Sequence, residues 1–266
     1  MIYRNSGYIK IRGPTSIDFV TPVSSSRTKT IKIRLEEFLG EGSSAKVYKI
    51  NWNDRPAAIK IFSDVNNLKN EVEMLKGLNR NNFKNVPIFI ANDDNHLIIR
   101  PVCKHFSNDF INNFQAQHCK DLLNLLKRIH SYGVYHRDVR PSNIMLDTES
   151  NYLILVDWGS AIFHSKNEVV PYKGTTTYAS PFILENGMGD YVPKPADDLH
   201  SFVRTMYVLR NPLKKPDLAS SSTQAIRDYW NSELNDRELW KEMSNAADNN
   251  RVDVLEKICD IFEINS

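Results

Sequence analysis

The sequence predicts an α+β chain, with a strand-rich first part carrying one helix and a mainly helical second part, and three observations predict it. Between Thr30 and Ile61 apolar and polar residues largely alternate, the period of half-buried strands. Leu68, Val72, Leu75 and Leu78 then recur at spacings of four and three, which places one apolar stripe on a helix. From about Asp109 the period changes, and Leu122, Leu125, Leu126 and Ile129 share a helical face, so a seam is expected near residues 101–108.

The elements follow in order. Ile31, Ile33 and Leu35 alternate with charged residues, Val47-Tyr48-Lys49-Ile50 leads into a turn at Asn51-Trp52-Asn53-Asp54, and Ala57-Ala58-Ile59-Lys60-Ile61 follows, a β-meander. The helix carrying Leu68 ends near Asn79. Two short strands are expected at Val86–Ile90 and His96–Arg100. Gly133 closes the helix of Leu122, and further helices are expected at 197–209, 223–233 and 236–262. Tyr8-Ile9-Lys10-Ile11-Arg12 alternates as a strand does, which disfavours reading the basic N-terminus as a targeting helix.

Composition narrows the class. The 266 residues are 41% hydrophobic and 25% charged, enough apolar material for a sizeable core. Lys and Arg number 34 against 32 Asp and Glu, so the net charge of +2 offers no reason to propose nucleic acid as a partner. Cys103, Cys119 and Cys259 lie far apart, unlike a disulfide framework or a zinc site. No apolar run approaches the length needed to cross a bilayer. An intracellular protein, cytoplasmic or nuclear and monomeric, is the expectation.

Four segments carry chemistry. Gly40-Glu41-Gly42 joins two strands and continues to Val47; its glycines let the backbone approach a ligand, and successive N–H groups of such a hairpin can face phosphate oxygens. Alone, such a turn is most often only a hairpin. Lys60 closes the apolar strand that holds Ala58, and Glu71 lies on the next helix; a carboxylate that fixes this ammonium would make a phosphate-holding device. His136-Arg137-Asp138-Val139-Arg140-Pro141-Ser142-Asn143 is a loop, since Pro141 excludes helix, and it can aim a carboxylate and a carboxamide at one point. Asp138 can accept or orient a hydroxyl proton, and the carbonyl oxygen of Asn143 suits Mg²⁺. Finally, Leu153-Ile154-Leu155-Val156 is an apolar strand that ends in Asp157, a carboxylate placed at a sheet edge where a metal can sit.

Lys60, Glu71, Asp138, Asn143 and Asp157, in this order and in these element contexts, make the chain resemble the protein kinase superfamily, with Asp157-Trp158-Gly159 in place of the commoner D-F-G. Gly174-Thr175-Thr176-Thr177-Tyr178-Ala179-Ser180-Pro181 resembles the substrate-docking end of an activation segment. Asp197-Asp198-Leu199-His200-Ser201-Phe202 resembles the buried helix whose aspartate, here Asp198, braces the catalytic loop. The similarity covers roughly residues 30–262. Within the superfamily, G-T-x-x-Y-A-S and D-D-L-x-S are similar to the casein kinase I group, and H-R-D-V-R-P-S-N with L-V-D-W-G is similar to the kinase domains of Crinkler-type effectors of fungi and oomycetes.

The resemblance implies a bilobal fold, with a β-rich N-lobe carrying one helix over residues 30–103, a larger helical C-lobe over 104–266 that is abbreviated after residue 210, and an N-terminal extension over 1–29. It implies ATP and Mg²⁺ as cofactors and transfer of the γ-phosphate to serine or threonine of a protein substrate. Gly40, Glu41, Gly42, Val47 and Ala58 would line the nucleotide site, with adenine near Pro101, Val102 and Cys103. Lys60, held by Glu71, would meet the α/β-phosphates, and Asn143 and Asp157 would hold the metal. Asp138 would orient the substrate hydroxyl and Arg140 would help with the transferred group. Arg137 is expected either to receive a phosphate from Ser165, Tyr172 or Thr175–Thr177, or to sit in a segment already ordered without one.

Two departures matter. Arg140 stands where the family usually carries lysine, and Phe182 replaces the glutamate of A-P-E, which would leave Arg251 without its usual partner. They keep a pseudokinase acting as a nucleotide-binding scaffold as the alternative. A small-molecule phosphotransferase, which can share the H-x-D-x-x-x-x-N loop, is disfavoured by the two-glycine turn, Arg137 and the G-T-x-x-Y segment.

Overall fold

The computed structural model describes residues 15–24, 27–105, 114–147, 149–164, 168–235 and 237–262. The strand expected at Tyr8–Arg12, the change of period near Asp109 and the hydroxyl of Ser165 lie outside these residues. The described residues open with a hairpin, β1 (Ser16–Ser24) against β2 (Arg27–Arg34). β3 (Glu37–Glu41), β4 (Ala45–Trp52) and β5 (Arg55–Phe62) then form the meander. α1 (Val65–Arg80) crosses to β6 (Ile88–Asn92) and β7 (His96–Arg100), giving a five-stranded antiparallel sheet in the order β3-β4-β5-β7-β6.

β5 shows why its sequence runs apolar without alternation: both of its faces are covered. Ala57 and Ile59 pack on Ile50 and Ile98 beneath Phe19, Ile33 and Leu35 of the hairpin, while Ala58 and Phe62 join the core shared with α1. Phe19 is fully buried, with its ring edge-on to Trp52 at 5.3 Å, and the Val20 N–H donates to Asp93 at 3.1 Å. The boundary placed between residues 29 and 30 therefore falls inside β2, and β1 and β2 together act as one lid on the outer face of the sheet.

After β8 (Lys104–His105) the chain turns helical, with α2 (Ala116–Ser131) ended by Gly133 at φ +68°. Short strands β9 (Val134–Tyr135), β10 (Ile144–Asp147), β11 (Tyr152–Leu155), β12 (Ile162–Phe163) and β13 (Val170–Pro171) carry the intervening loops. α3 (Pro181–Glu185), β14 (Asp190–Tyr191) and α4 (Pro195–Arg210) follow. Every residue of α4 from Asp197 to Leu209 is buried, which explains the lack of a one-sided stripe.

α5 (Thr223–Asn235) and α6 (Glu238–Asp248) come next. The single helix expected over 236–262 is broken after Asp248: Asn250 takes a left-handed φ of 53°, a conformation asparagine tolerates, and α7 (Val252–Leu255) and α8 (Lys257–Asp260) are single turns beyond it. Among the described residues no helix is long and apolar enough to cross a membrane. One core cluster runs from Ala45 and α1 through α2 to Cys259, so the strand-rich and helical parts are packed together.

Candidate active site

β5 and α1 supply the first charged pair. Lys60 Nζ donates to both oxygens of Glu71, at 2.8 and 2.6 Å, and to Asp157 Oδ1 at 3.3 Å. α1 is set by Asp64, which caps it by accepting the Asn66 N–H at 2.8 Å, and by the apolar stripe that turns Glu71 inward with Leu68 and Leu75. Burial opposes the ammonium, but Glu71 and Asp157 outweigh it and push Lys60 up to about 12. Glu71 is fully buried, which pushes its carboxyl upward, and the bidentate contact with Lys60 opposes that push. Lys60 chiefly holds Asp157 below the usual carboxylate range.

The 136–143 loop hangs from α4. Asp198 accepts the backbone N–H of His136 at 2.9 Å and of Arg137 at 2.7 Å, together with His130 Nε2 at 2.9 Å. Burial alone would raise the Asp198 carboxyl, yet His130 and these N–H groups bring it below its ordinary value. Arg137 is thereby held at φ 67° and Asp138 is turned into the cleft. Burial keeps His136 neutral by lowering its pKa; its Nε2 meets the Val156 carbonyl at 3.1 Å, which leaves Nδ1 to accept the Asp138 N–H at 3.3 Å.

Three N–H groups orient the Asp138 carboxylate. Thr175 N donates to Oδ1 at 2.9 Å; Arg140 Nε and Asn143 Nδ2 donate to Oδ2 at 3.1 and 2.8 Å. Since a carboxylate has about four acceptor positions, one remains for a hydroxyl. Asn143 Nδ2 also reaches the Asp138 carbonyl at 2.9 Å, so both amide hydrogens point at Asp138 and the amide oxygen is turned away from it. A carboxylate and an amide oxygen are the hard donors a magnesium ion takes, and Asp157 and Asn143 fit it.

Asp157 lies at φ 66°, ψ 65°, directly before the Trp158–Ser160 turn. Trp158 is fully buried, bonded through Nε1 to the Leu155 carbonyl at 2.8 Å and edge-on to His136 at 4.7 Å, which anchors the segment. Above the cleft, Gly40 pairs with Val47 in the β3–β4 hairpin, and Gly42 N donates to the Ala45 carbonyl at 2.9 Å. A Cβ on Gly40 would stand 3.8 Å from His105 Nε2, so the glycine turn lies over β8. Val47 faces Lys60 across the ladder and Ala58 faces Ile99. Pro101, Val102 and Cys103 follow β7, with Cys103 buried and its thiol pushed up to about 12 by that burial.

The expected difficulty at Phe182 resolves elsewhere. Arg251 pairs at the surface with Asp253 at 3.1 Å, and Phe182 is half-exposed under Lys194. The end of the segment is instead tied to α4 and α5: Ser180 Oγ donates to Asp197 at 2.6 Å, Ser201 Oγ to the Tyr178 carbonyl at 2.9 Å, and Trp230 Nε1 to the Thr177 carbonyl at 2.6 Å. Buried Arg204 donates to the Ala179 carbonyl and stacks over Trp230 at 5.2 Å.

Sequence reasoning missed Arg204, Trp230, Ile99 and Asn70. Of these, Asn70 alone carried a signal, since asparagine is disfavoured inside helices and stands in α1 nonetheless.

Comparison with known proteins agrees with this geometry. The family model described as the protein kinase domain matches residues 33–261. The serine/threonine-protein kinase TIO of Arabidopsis thaliana is 24% identical over 77% of this chain and 18% of its own length. Serine/threonine-protein kinase 36 of Pongo abelii is 26% identical over 60% of this chain and 14% of its own, and PSK2 of Saccharomyces cerevisiae 26% over 49% and 13%. The chain therefore spans less than a fifth of the length of these relatives.

Proposed function

The chain belongs to the protein kinase family, and from that premise we propose that it transfers the γ-phosphate of ATP to serine and threonine hydroxyls of protein substrates. The observation that carries this is the joining of Lys60, Glu71 and Asp157 in one contact network beside an Asp138 carboxylate oriented by three donors. A pseudokinase has no need of that second arrangement.

In this reading the Gly40–Val47 hairpin covers the phosphates, and Ala58 and the 101–103 connection frame the adenine. Lys60, kept charged and immobile by Glu71, meets the α/β-phosphates. Asp157 and Asn143 would hold a magnesium ion, which would supply positive charge to offset that of the phosphates. Asp138 takes the hydroxyl hydrogen bond on its remaining lone pair and aims the oxygen at the γ-phosphorus. Arg140, parked on Asp138 Oδ2, lies within the same site and supplies positive charge as the phosphoryl group moves. Little covalent work falls on the protein, so positioning and electrostatics carry the rate. The named relatives are serine/threonine kinases, which supports the choice of hydroxyl.

Labelled ATP and Mg²⁺ with an acidic protein substrate test the reading, comparing wild type with Asp138→Asn. Transfer that depends on Asp138, with nucleotide binding retained in the variant, is expected. Transfer that survives the substitution overturns the mechanism, and nucleotide binding with no transfer by wild type overturns the activity.

A further inference from the structure

Within the Trp158–Ser160 turn only the Trp158 carbonyl is bonded locally, by the Ala161 N–H at 3.1 Å, and the next three carbonyls, of Gly159, Ser160 and Ala161, find partners from outside it. Asn70 Nδ2 donates to the Gly159 and Ala161 carbonyls, each at 2.8 Å, using both of its hydrogens. From the other side Arg137 Nε donates to the Ser160 carbonyl at 2.7 Å, and Arg137 Nη1 to the Pro171 carbonyl at 3.2 Å. Asn70 directly precedes Glu71 and Arg137 directly precedes Asp138, so each grip adjoins a residue of the site.

Phe163 extends the contact. A Cβ on Gly77 would lie 2.8 Å from its ring, so α1 carries a glycine where the segment packs against it.

We propose that Asn70 and Arg137 clamp these three carbonyls from opposite lobes, that the clamp holds Glu71 and Asp157 in the arrangement phosphoryl transfer needs, and that it does so without a phosphate on the segment. Arg137 is buried and its Nε and Nη1 already hold main-chain oxygens on both sides of the segment, a grip made by neutral carbonyls and not by an added charge. Asn70 is a positioning residue: it reaches Asp157 only through the backbone that follows it. The rate consequence rests on the kinase reading above; the structural consequence does not.

Asn70→Asp tests the clamp, because it keeps the side chain's size, removes both donors and sets a carboxylate against the two carbonyls, with Asn70→Leu, which removes the donors without adding charge, as its control. Phosphatase-treated wild type, shown free of phosphate by intact mass, should phosphorylate an acidic protein within twofold of the untreated rate. Asn70→Asp should lower kcat roughly ten- to thirtyfold, the worth of two hydrogen bonds. Its amides over 158–164 should exchange hydrogen faster while those of α4 keep wild-type protection, a contrast a general loss of stability would not produce. Loss of activity on dephosphorylation, or wild-type kcat and exchange in Asn70→Asp, would overturn the proposal. If untreated wild type transfers nothing, the kinase reading fails, and the exchange comparison alone still decides whether the clamp exists.

Discussion

The backbone N–H of Thr175 donates to Oδ1 of Asp138 at 2.9 Å, so a residue 37 positions later in the chain sets the angle of the carboxylate proposed to orient the substrate. That contact needs Gly174, because a Cβ there would stand 2.0 Å from the Arg137 carbonyl and 2.5 Å from the Tyr172 hydroxyl. Gly174→Ala should therefore lower kcat on a protein substrate on the order of a hundredfold, with the Kd for ATP almost unchanged. Isothermal titration beside steady-state kinetics separates the two; a parallel loss of nucleotide binding would contradict the assignment.

Lys60→Met strands Glu71 in the core with no counter-charge, which should cost about 3 kcal/mol. Adding Glu71→Leu should restore most of that stability without restoring transfer, since the phosphate-holding ammonium is still missing. Chemical denaturation of both variants checks it, and a double variant no more stable than the single one refutes it.

Arg204 presents the opposite case. Among the described residues its buried Nε finds no hydrogen-bond partner, and burial lowers its pKa to about 9, so a charged guanidinium there costs stability at neutral pH. Arg204→Met should leave the melting temperature unchanged or raise it, while freeing the Ala179 carbonyl and raising KM for the protein substrate several-fold. A large fall in melting temperature would show instead that the contact with Trp230 outweighs the burial of charge.

Two windows of acid instability are expected. His136 is neutral in the fold because burial lowers its pKa, so unfolding takes up a proton and stability begins to fall as pH drops below 6.5. The Asp198 contribution is complete above its ordinary value of 3.8 and is lost as pH falls below it, because its folded pKa is lower still. Asp198→Asn should lower stability at neutral pH and flatten the dependence between about pH 4 and 3, as read from urea midpoints. An unchanged slope would mean that other carboxylates carry the acid limb.

Phe19 tests the lid on the upper sheet. Phe19→Ala should cost about 3–5 kcal/mol, roughly 10 °C in melting temperature, because the side chain is fully buried against Trp52 and the apolar face of β5. A shift within error would show that the hairpin rests on the sheet without stabilising it.

The sequence by itself determined the mixed architecture and named the residues Lys60, Glu71, Asp138, Asn143 and Asp157 as candidates for one site. Alternation and the four-and-three stripe are local periods, written in neighbouring residues, and so are the spacings inside His136–Asn143 and from Leu153 to Asp157. Only the tertiary structure decided what meets across long stretches of chain: Asn70 with Gly159, Arg204 with Ala179, Trp230 with Thr177, Phe19 with Trp52. These partners leave no periodic trace, because an amide or guanidinium finds its carbonyl through the packing of whole elements rather than through spacing along the chain. The break at Asn250 belongs with them: the apolar pattern of residues 236–262 suits one helix, and a single left-handed residue, tolerated by asparagine and fixed by packing, divides it.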